Sequence, residues 1–409
     1  MNIQEYLTDM KNIQKNILYF LETETEQELN FQNLIDFFDE RVIIEHKHEL
    51  KSTLYLISKI SQNHHRGPDF FSKIERIIKH FKENIKKFFK NSEIFNIFKN
   101  DKRILLFLFE EKIIEMNEYI VKVMTKTNKY IKANYPEYFS PEIKLFEKDE
   151  IKLSENFYNN RKIGENEKII CELIRKDMSS DFVAYIHRTN YSSNATIESS
   201  IYETNSFLYN KKPTLIEYAT FFGSIEVFKF LRYQQAEMNS SLWIYAIHSQ
   251  NAEIIHILEE CFIELPEVLN LKDKYIYDEN NTNNNNEEEE EEEEEDNINK
   301  KSQNLCNEIL IESIKCHHLN FTTYFQNFLQ FEEDHQNDDI KSIAPYCFHY
   351  YNFNFFPDEL DNIYILYYAC RYDYYQIVEH LLNEGRIDPN TKNISYSIHF
   401  KNRISKLIL

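Results

Sequence analysis

A pattern of small, polar and apolar residues recurs four times in the second half of the chain, and it limits the possible fold more than any other feature. In each copy a small residue precedes a polar one by seven positions, and apolar residues follow at helical spacing. The small residues are Ala219, Ala246, Ser313 and Ala369, and the polar ones are Glu226, Glu253, Asn320 and Gln376. A small side chain lets a neighbouring helix approach closely, and the apolar residues fill the seam to the next copy. The pattern therefore predicts four antiparallel helix pairs that lie side by side in series.

The rest of the chain also predicts helices. Only four of the 409 residues are glycine, whereas β folds need glycine at many tight turns. From Ile3 to Phe20 and from Phe71 to Phe88, apolar residues recur every three or four positions, which places them on one face of a helix. Leu29 to Ile44 and Leu105 to Val123 behave similarly. We therefore predict an all-α fold.

Changes in composition and periodicity along the chain predict its domain boundaries. The predicted regions are an N-terminal helical domain (1–135), a connector with two prolines (136–165), a first set of repeats (166–271), an Asn/Glu-rich acidic insert (272–304) and a second set of repeats (305–409). The insert contains an unbroken acidic run, Glu287 to Asp296. Like charges repel and such a segment has no material for a core, so we expect it to be disordered. The second set ends shortly after Asp388, where a further helix pair would be expected, so a truncated array is one interpretation.

The repeated segments resemble ankyrin repeats. Matching residues are Thr214, Ala219, Gly223, Glu226, Val227 and Leu231 in the first copy, Ala246, Glu253, Ile254 and Leu258 in the second, and Ala369, Ile377, Val378, Leu381, Leu382, Gly385, Asp388 and Asn390 in the fourth. The small residues are spaced by 27, 67 and 56 positions, against about 33 in regular ankyrin arrays. The resemblance implies degenerate units with one missing finger loop and long insertions.

The whole chain further resembles a large group of ankyrin proteins from unicellular eukaryotes, whose N-terminal domain has no assigned function. The segments that carry this resemblance are Asn63 to Arg66, Pro213 to Ala219 and Ser241 to Ser249. The resemblance implies an N-terminal helical domain followed by a degenerate ankyrin-type helical solenoid. Residues 166–186 are a candidate for one more degenerate pair.

Charge and hydropathy exclude several classes of function. The net charge is −21, which argues against a nucleic-acid partner because such binding depends on neutralising phosphates. The longest uncharged apolar run, about Ile104 to Phe109, is far too short to span a membrane. The first residues have no apolar signal region, and none of the six cysteines is paired at C-x-x-C spacing. We therefore expect reduced thiols and a location in the cytoplasm or nucleus.

No motif of a known catalytic site is present, so we expect neither enzymatic activity nor a cofactor. The chain lacks phosphate-binding glycine loops, nucleophile elbows and zinc-protease motifs. His64-His65 and Cys316 to His318 contain metal-ligand types, but neighbouring ligands on one helix point apart and the sequence shows no second pair. We interpret both groups as structural, with Cys316 to His318 in the turn between paired helices.

Three further segments each have two interpretations. We interpret the aromatic run Phe348 to Pro357 as side chains that pack between helices. The alternative is that these rings stack on bases or bind a peptide. The basic segment Lys79 to Lys90 is read as a solvated helix face, with a membrane surface or an acidic partner as the alternative. The acidic run in 272–304 is read as a solvated insert, with attraction of a basic partner, or of the basic residues in 41–133, as the alternative.

These observations predict a non-catalytic scaffold or adaptor that binds another protein of unknown identity. Repeat proteins commonly bind through the concave surface made by their first helices and connecting fingers. The positions expected to point outward on that surface are Tyr218, Phe221, Phe222, Tyr245, His248, Ser249, Glu312, Lys315, Tyr368, Arg371 and Tyr372. One alternative is an enzyme or regulator whose active part is the N-terminal domain, and another is a truncated family copy with little function of its own.

Overall fold

The computed structural model describes residues 3–41, 43–67, 69–125, 134–147, 153–209, 211–261, 305, 307–328, 336–356 and 362–383. Over these residues the chain is helical and has no β-strand, and an isolated bridge joins Thr196 to Thr214. The predicted all-α fold class is confirmed. None of the described helices combines the length and hydropathy needed to cross a bilayer. The predicted acidic insert, 272–304, lies outside the described residues.

The contacts divide the chain into two compact units that do not follow chain order. The first comprises Met1–Asn166, Ser199–Asn210 and Ile340–Leu409, and the second comprises Glu167–Glu198 and Lys211–Asp339. The fourth copy of the repeat therefore belongs to the same unit as the N-terminal helices, whereas the other three copies belong to the second unit. The predicted boundaries, which were drawn in chain order, stay a prediction.

The first unit begins with eleven helices in the N-terminal part that the structure describes. They are α1 (Ile3–Glu22), α2 (Gln27–Glu40), α3 (Lys47–Asn63), α4 (Phe70–His80), α5 (Lys82–Phe88), α6 (Asn91–Phe98), α7 (Lys102–Glu110), α8 (Glu118–Thr125), α9 (Tyr135–Tyr138), α10 (Ser140–Glu147) and α11 (Glu155–Ile163), with a 3-10 turn at Ile43–Glu45. The face predicted for α1 is buried from Tyr6 to Phe20. The predicted helix from Phe71 to Phe88 is broken at Phe81, which ends α4 and precedes α5.

The predicted connector also contributes to this core. Its helices α9, α10 and α11 are short, as its loss of periodicity indicated. Tyr135, Tyr138 and Phe139 are nevertheless completely or almost completely buried, and the Tyr138 hydroxyl donates to the Arg161 carbonyl at 2.9 Å. This segment is therefore packed into the first unit through its aromatic side chains.

The C-terminal part of the first unit contains the fourth repeat copy. Its helices are α20 (Gln336–Tyr350), α21 (Asn362–Arg371) and α22 (Tyr375–Asn383), with a 3-10 turn at Phe353–Phe355. Helix α1 contacts both the 3-10 turn and α22. The Gln14 side chain, which is fully buried, donates to Asn352 Oδ1 at 3.0 Å and accepts from the Phe353 N–H at 2.8 Å. Helix α1 and the segment around Phe353 therefore share one core.

The second unit is a stack of four helix pairs. Its helices are α12 (Ile169–Arg175), α13 (Ser179–Thr189), α14 (Leu215–Phe222), α15 (Ile225–Tyr233), α16 (Leu242–Ser249), α17 (Ala252–Cys261), α18 (307–315) and α19 (Leu319–Phe328). The first helices α12, α14 and α16 contact one another in order, as do the second helices α13, α15 and α17. The small residues Ala219, Ala246 and Ser313 are buried, which agrees with the close helix approach that the pattern predicted. The candidate extra pair after residue 166 is the first member of the stack.

The ends of the helices follow the local sequence. Thr214 and Glu217 form the predicted capping box at the start of α14, with backbone-to-side-chain distances of 2.8 and 3.3 Å. Gly223 ends that helix at a φ of +71°, a region that glycine adopts without steric cost. The Asn251 side chain donates to the Gly223 carbonyl at 3.0 Å. The turn of one pair is thus held by the next pair.

Candidate protein-binding surface

Helix α21 and the residue that follows it carry four tyrosines and an arginine that are half-buried or exposed. We call this group the tyrosine face, and it comprises Tyr364, Tyr367, Tyr368, Arg371 and Tyr372. Spacings of three and four residues place these side chains next to one another on a helix. The Tyr372 N–H donates to the Tyr368 carbonyl at 2.9 Å, so the helical geometry continues to Tyr372. Arg371 is exposed and the four tyrosines are half-buried.

Contacts between aromatic rings hold the tyrosine face against the residues beneath it, Phe348 and His349. The Tyr368 ring stacks on Phe348 with centroids 5.7 Å apart, and the Tyr372 ring stacks on His349 at 5.0 Å. The Tyr364 and Tyr368 rings lie 4.8 Å apart. Because Phe348 is buried, its contact anchors the face to the core of the first unit. The rings are therefore preorganised, which lowers the entropy lost when a partner binds.

Arg371 supplies the positive charge of the tyrosine face. Its Nη1 donates to the Tyr367 hydroxyl at 3.1 Å, and its guanidinium lies 5.6 Å from the centre of the Tyr372 ring. Burial raises the pKa of the Tyr372 phenol, so this ring stays neutral at physiological pH. The surface thus presents aromatic rings with neutral hydroxyls around one positive charge.

Residues 361–394 match the ankyrin repeat family model. No curated protein and no solved structure matches the chain. The match includes α21 and α22, which we therefore call the ankyrin pair. Gly385, Asp388 and Asn390, which carried part of the resemblance, fall within the match but outside the described residues. An ankyrin repeat indicates a role in protein–protein interaction.

The predicted binding residues differ in their exposure. Those in the ankyrin pair, Tyr368, Arg371 and Tyr372, belong to the tyrosine face. In the second unit, Phe222 and Lys315 are half-buried. The other six are buried, namely Tyr218, Phe221, Tyr245, His248, Ser249 and Glu312. Whether any of the eleven binds a partner stays a prediction.

The six buried residues do not point outward as the repeat register suggested. All eight residues of α16 are buried, and a helix that is apolar on every side is normally enclosed by its neighbours. The Tyr218 hydroxyl accepts from Arg175 Nη1 at 2.9 Å, and the Phe221 ring lies 4.5 Å from the His248 ring. These side chains therefore pack within the second unit.

Sequence reasoning missed Tyr364 and Tyr367 as members of the tyrosine face. Both lie in the segment that was aligned as a repeat, and their spacing from Tyr368 and Arg371 was a usable signal. The aromatic run beginning at Phe348 was correctly interpreted as packing between helices, since Phe348, Tyr351, Phe353 and Phe356 are all buried.

The second unit contains a buried group of three side chains with metal-ligand chemistry. His248 Nε2 lies 2.9 Å from Glu312 Oε1, and Cys316 Sγ lies 3.4 Å from His248 Nδ1. Burial lowers the pKa of His248 and raises that of the Cys316 thiol. Burial alone would raise the pKa of Glu312, but the Lys315 ammonium and the His248 hydrogen bond outweigh it and lower that pKa to about 2. The thiol is therefore protonated here, unlike an activated nucleophile.

Proposed function

We propose that this protein is a non-catalytic scaffold that binds another protein through the tyrosine face of its ankyrin pair. The observation that carries the proposal is the combination of four preorganised tyrosines with one exposed arginine on the first helix of an ankyrin repeat. Tyrosine and arginine are the residue types that most often dominate the binding energy of protein interfaces. In repeat proteins the first helices commonly form the binding surface.

The family of the protein, its location in the cell and its further binding positions are also proposals. We place the chain in the group of ankyrin proteins from unicellular eukaryotes that it resembles, and we place its action in the cytoplasm or nucleus. The stack of helix pairs in the second unit supports a solenoid that presents further binding positions. Among the predicted positions there, Phe222 and Lys315 are the better candidates because the others are buried.

The test is a comparison of co-purified proteins. The full chain, the triple variant Tyr367→Ala/Arg371→Ala/Tyr372→Ala and a control variant would each be expressed as bait and analysed by quantitative mass spectrometry. The control is Tyr233→Ala, which removes a tyrosine that is 83% exposed at the end of α15. We expect partners to be lost with the triple variant and retained with the control, and deletion of 272–304 to leave these partners bound.

Circular dichroism of the triple variant would show that the loss is not caused by unfolding. A single Arg371→Ala variant adds a second check, because it removes an exposed side chain with little effect on packing. If the triple variant retains every partner of the unchanged chain, the tyrosine face is not the binding surface.

A further inference from the structure

We propose that His248, Glu312 and Cys316 form a zinc-binding site inside the second unit. This site would be separate from the tyrosine face and would act on the stability of the helix stack. It does not depend on the proposed function, because its residues belong to other helices and its test measures metal content.

Two neighbouring helix pairs supply the three side chains. Glu312 lies on α18, and Cys316 follows it by one helical turn, with its N–H donating to the Glu312 carbonyl at 2.9 Å. Residues spaced by four lie on the same side of a helix. His248 lies in the last turn of α16, 68 positions before Cys316. Glu312 and Cys316 alone are too few ligands for a metal. The packing of α18 beside α16 adds His248 as the third ligand.

The distances suit a tetrahedral zinc ion. The candidate ligand atoms of the three side chains all lie within 4.8 Å of one another. Zinc holds thiolate sulfur at about 2.3 Å and imidazole nitrogen at about 2.0 Å, which puts tetrahedral ligands of these types about 3.5 Å apart. One zinc ion binds one imidazole nitrogen, and Nε2 is the nitrogen of His248 that faces Glu312. Cys316 Sγ lies 3.9 Å from this nitrogen, so this separation would need to close by a few tenths of an ångström. The separation of 2.9 Å between His248 Nε2 and Glu312 Oε1 would need to open by a few tenths of an ångström.

The donor set also fits zinc chemically. Sulfur, imidazole nitrogen and carboxylate oxygen are the ligand types that zinc uses in proteins, and three protein ligands leave one position for water. On binding, the Cys316 S–H bond would break, its proton would pass to solvent and a zinc–sulfur bond would form. The proton that His248 Nε2 donates to Glu312 would move to Nδ1, and Nε2 would then bind the ion. The charges of the thiolate and the carboxylate then balance the charge of the ion.

Lys315 does not prevent metal binding. Its ammonium lies 3.0 Å from Glu312 Oε1 and 3.1 Å from Oε2, so it contacts both oxygens of the carboxylate. When Oε1 binds zinc, Oε2 can keep its hydrogen bond to the ammonium. Ligands that are oriented by such outer hydrogen bonds bind metal more tightly.

The consequence of zinc binding would be a cross-link between the third and fourth helix pairs of the stack. These pairs are separated in the chain by the long segment 262–306. A metal that binds only the folded arrangement stabilises it, and the stabilisation increases with the logarithm of the metal concentration divided by its Kd. The ion would therefore hold α18 against α16 despite the length of the intervening segment.

The experiment uses the full chain, purified from medium supplemented with zinc. Elemental mass spectrometry would measure zinc per chain, and exchange with Co²⁺ would report the ligands through the thiolate-to-cobalt charge-transfer band. The test variants are Cys316→Ser and His248→Gln. The matched control is Cys171→Ser, which alters another fully buried cysteine of the same unit. Circular dichroism of each variant monitors folding.

We expect one zinc ion in the unchanged chain and in Cys171→Ser, and loss of both the zinc and the charge-transfer band in Cys316→Ser. Zinc should also raise the thermal midpoint of the unchanged chain but not that of His248→Gln. Equal zinc content in the unchanged chain and Cys316→Ser would overturn the proposal. Absence of zinc and of the cobalt band from the folded, unchanged chain would overturn it as well.

Discussion

At the scale of single residues, the turns inside the helix pairs share one backbone conformation, although different residues occupy it. One residue in every such turn has a positive φ of 49° to 71°, and these residues are Asp177, Gly223, Gln250, His317 and Asp373. In the four aligned copies this residue follows the small residue by four positions. Glycine occupies the position only once, so the other turns accept a conformation that is unfavourable for a residue with a Cβ atom. The local geometry is therefore kept although the consensus residue is lost.

The same conformation occurs after α15 and gives a first prediction. Gln235 has a φ of +57° and is exposed. Gln235→Gly should raise the free energy of unfolding by about 0.5–1 kcal/mol, because glycine adopts this conformation without strain. The measurement is the urea midpoint. The neighbouring exposed Gln234, with a φ of −76°, is the control, and its change to glycine should lower stability. A fall in the midpoint of Gln235→Gly would contradict the argument.

At the scale of helices, hydrogen bonds between elements determine which surfaces meet. The side chain of Asp177, in the turn between α12 and α13, accepts from the backbone N–H groups of Glu226 and Val227 at 3.1 and 2.9 Å. It thus caps the start of α15 from the preceding pair. Ser224 donates to the Ile174 carbonyl at 2.5 Å. Neighbouring pairs are therefore joined by polar contacts at their turns as well as by apolar packing.

The bridge from α1 to the C-terminal segment gives a second prediction. Gln14→Ala would leave the buried Asn352 side chain and the Phe353 N–H without the hydrogen bonds that Gln14 provides. Because losing hydrogen bonds to buried polar groups is costly, the free energy of unfolding should fall by about 1–3 kcal/mol. Chemical denaturation measures the change. Gln4→Ala, on the exposed side of the same helix, is the control and should have little effect. Equal midpoints for the two variants would show that the bridge adds no stability.

At the scale of the whole molecule, the first unit is closed by residues far apart in the chain. Tyr55 on α3 donates to the Asp373 carboxylate at 3.0 Å, and its ring stacks on that of Tyr351 at 5.1 Å. His48 also stacks on Tyr375, with centroids 3.7 Å apart. The ankyrin pair therefore depends on N-terminal helices to cover its apolar surface, as a single repeat cannot bury that surface alone. The unit should consequently unfold as one cooperative body.

Buried phenols in this unit give a third prediction, on alkaline stability. Burial raises the pKa of Tyr135, Tyr138, Tyr351 and Tyr374 above the ordinary value, which is about 10. A group with a raised folded pKa contributes stability that is present below its unfolded pKa and is lost as the pH rises through the folded one. We therefore expect cooperative unfolding above about pH 10.

Tyrosinate absorbance and circular dichroism, followed together against pH, check this prediction. The two signals should change in one transition, and Tyr374→Phe, which removes one of the ionising phenols, should move that transition to higher pH. Ionisation of these tyrosines with full retention of helix would contradict the prediction.

The sequence by itself determined the helical class, the four helix pairs and the capping of α14. Those features depend on residues within a few positions of one another, so the spacing of Thr214, Glu217 and Gly223 was enough to specify a helix start and end. The aromatic run at Phe348 was likewise recognised as packing material from its composition.

Only the tertiary structure decided where the fourth pair packs, which predicted surface residues are buried, and that His248 meets Cys316. These outcomes depend on contacts between distant positions, such as Gln14 and Asn352, which are 338 residues apart. Helical periodicity shows that a helix has an apolar face but not which other face will cover it, because the spacing of residues within one helix does not specify a distant partner.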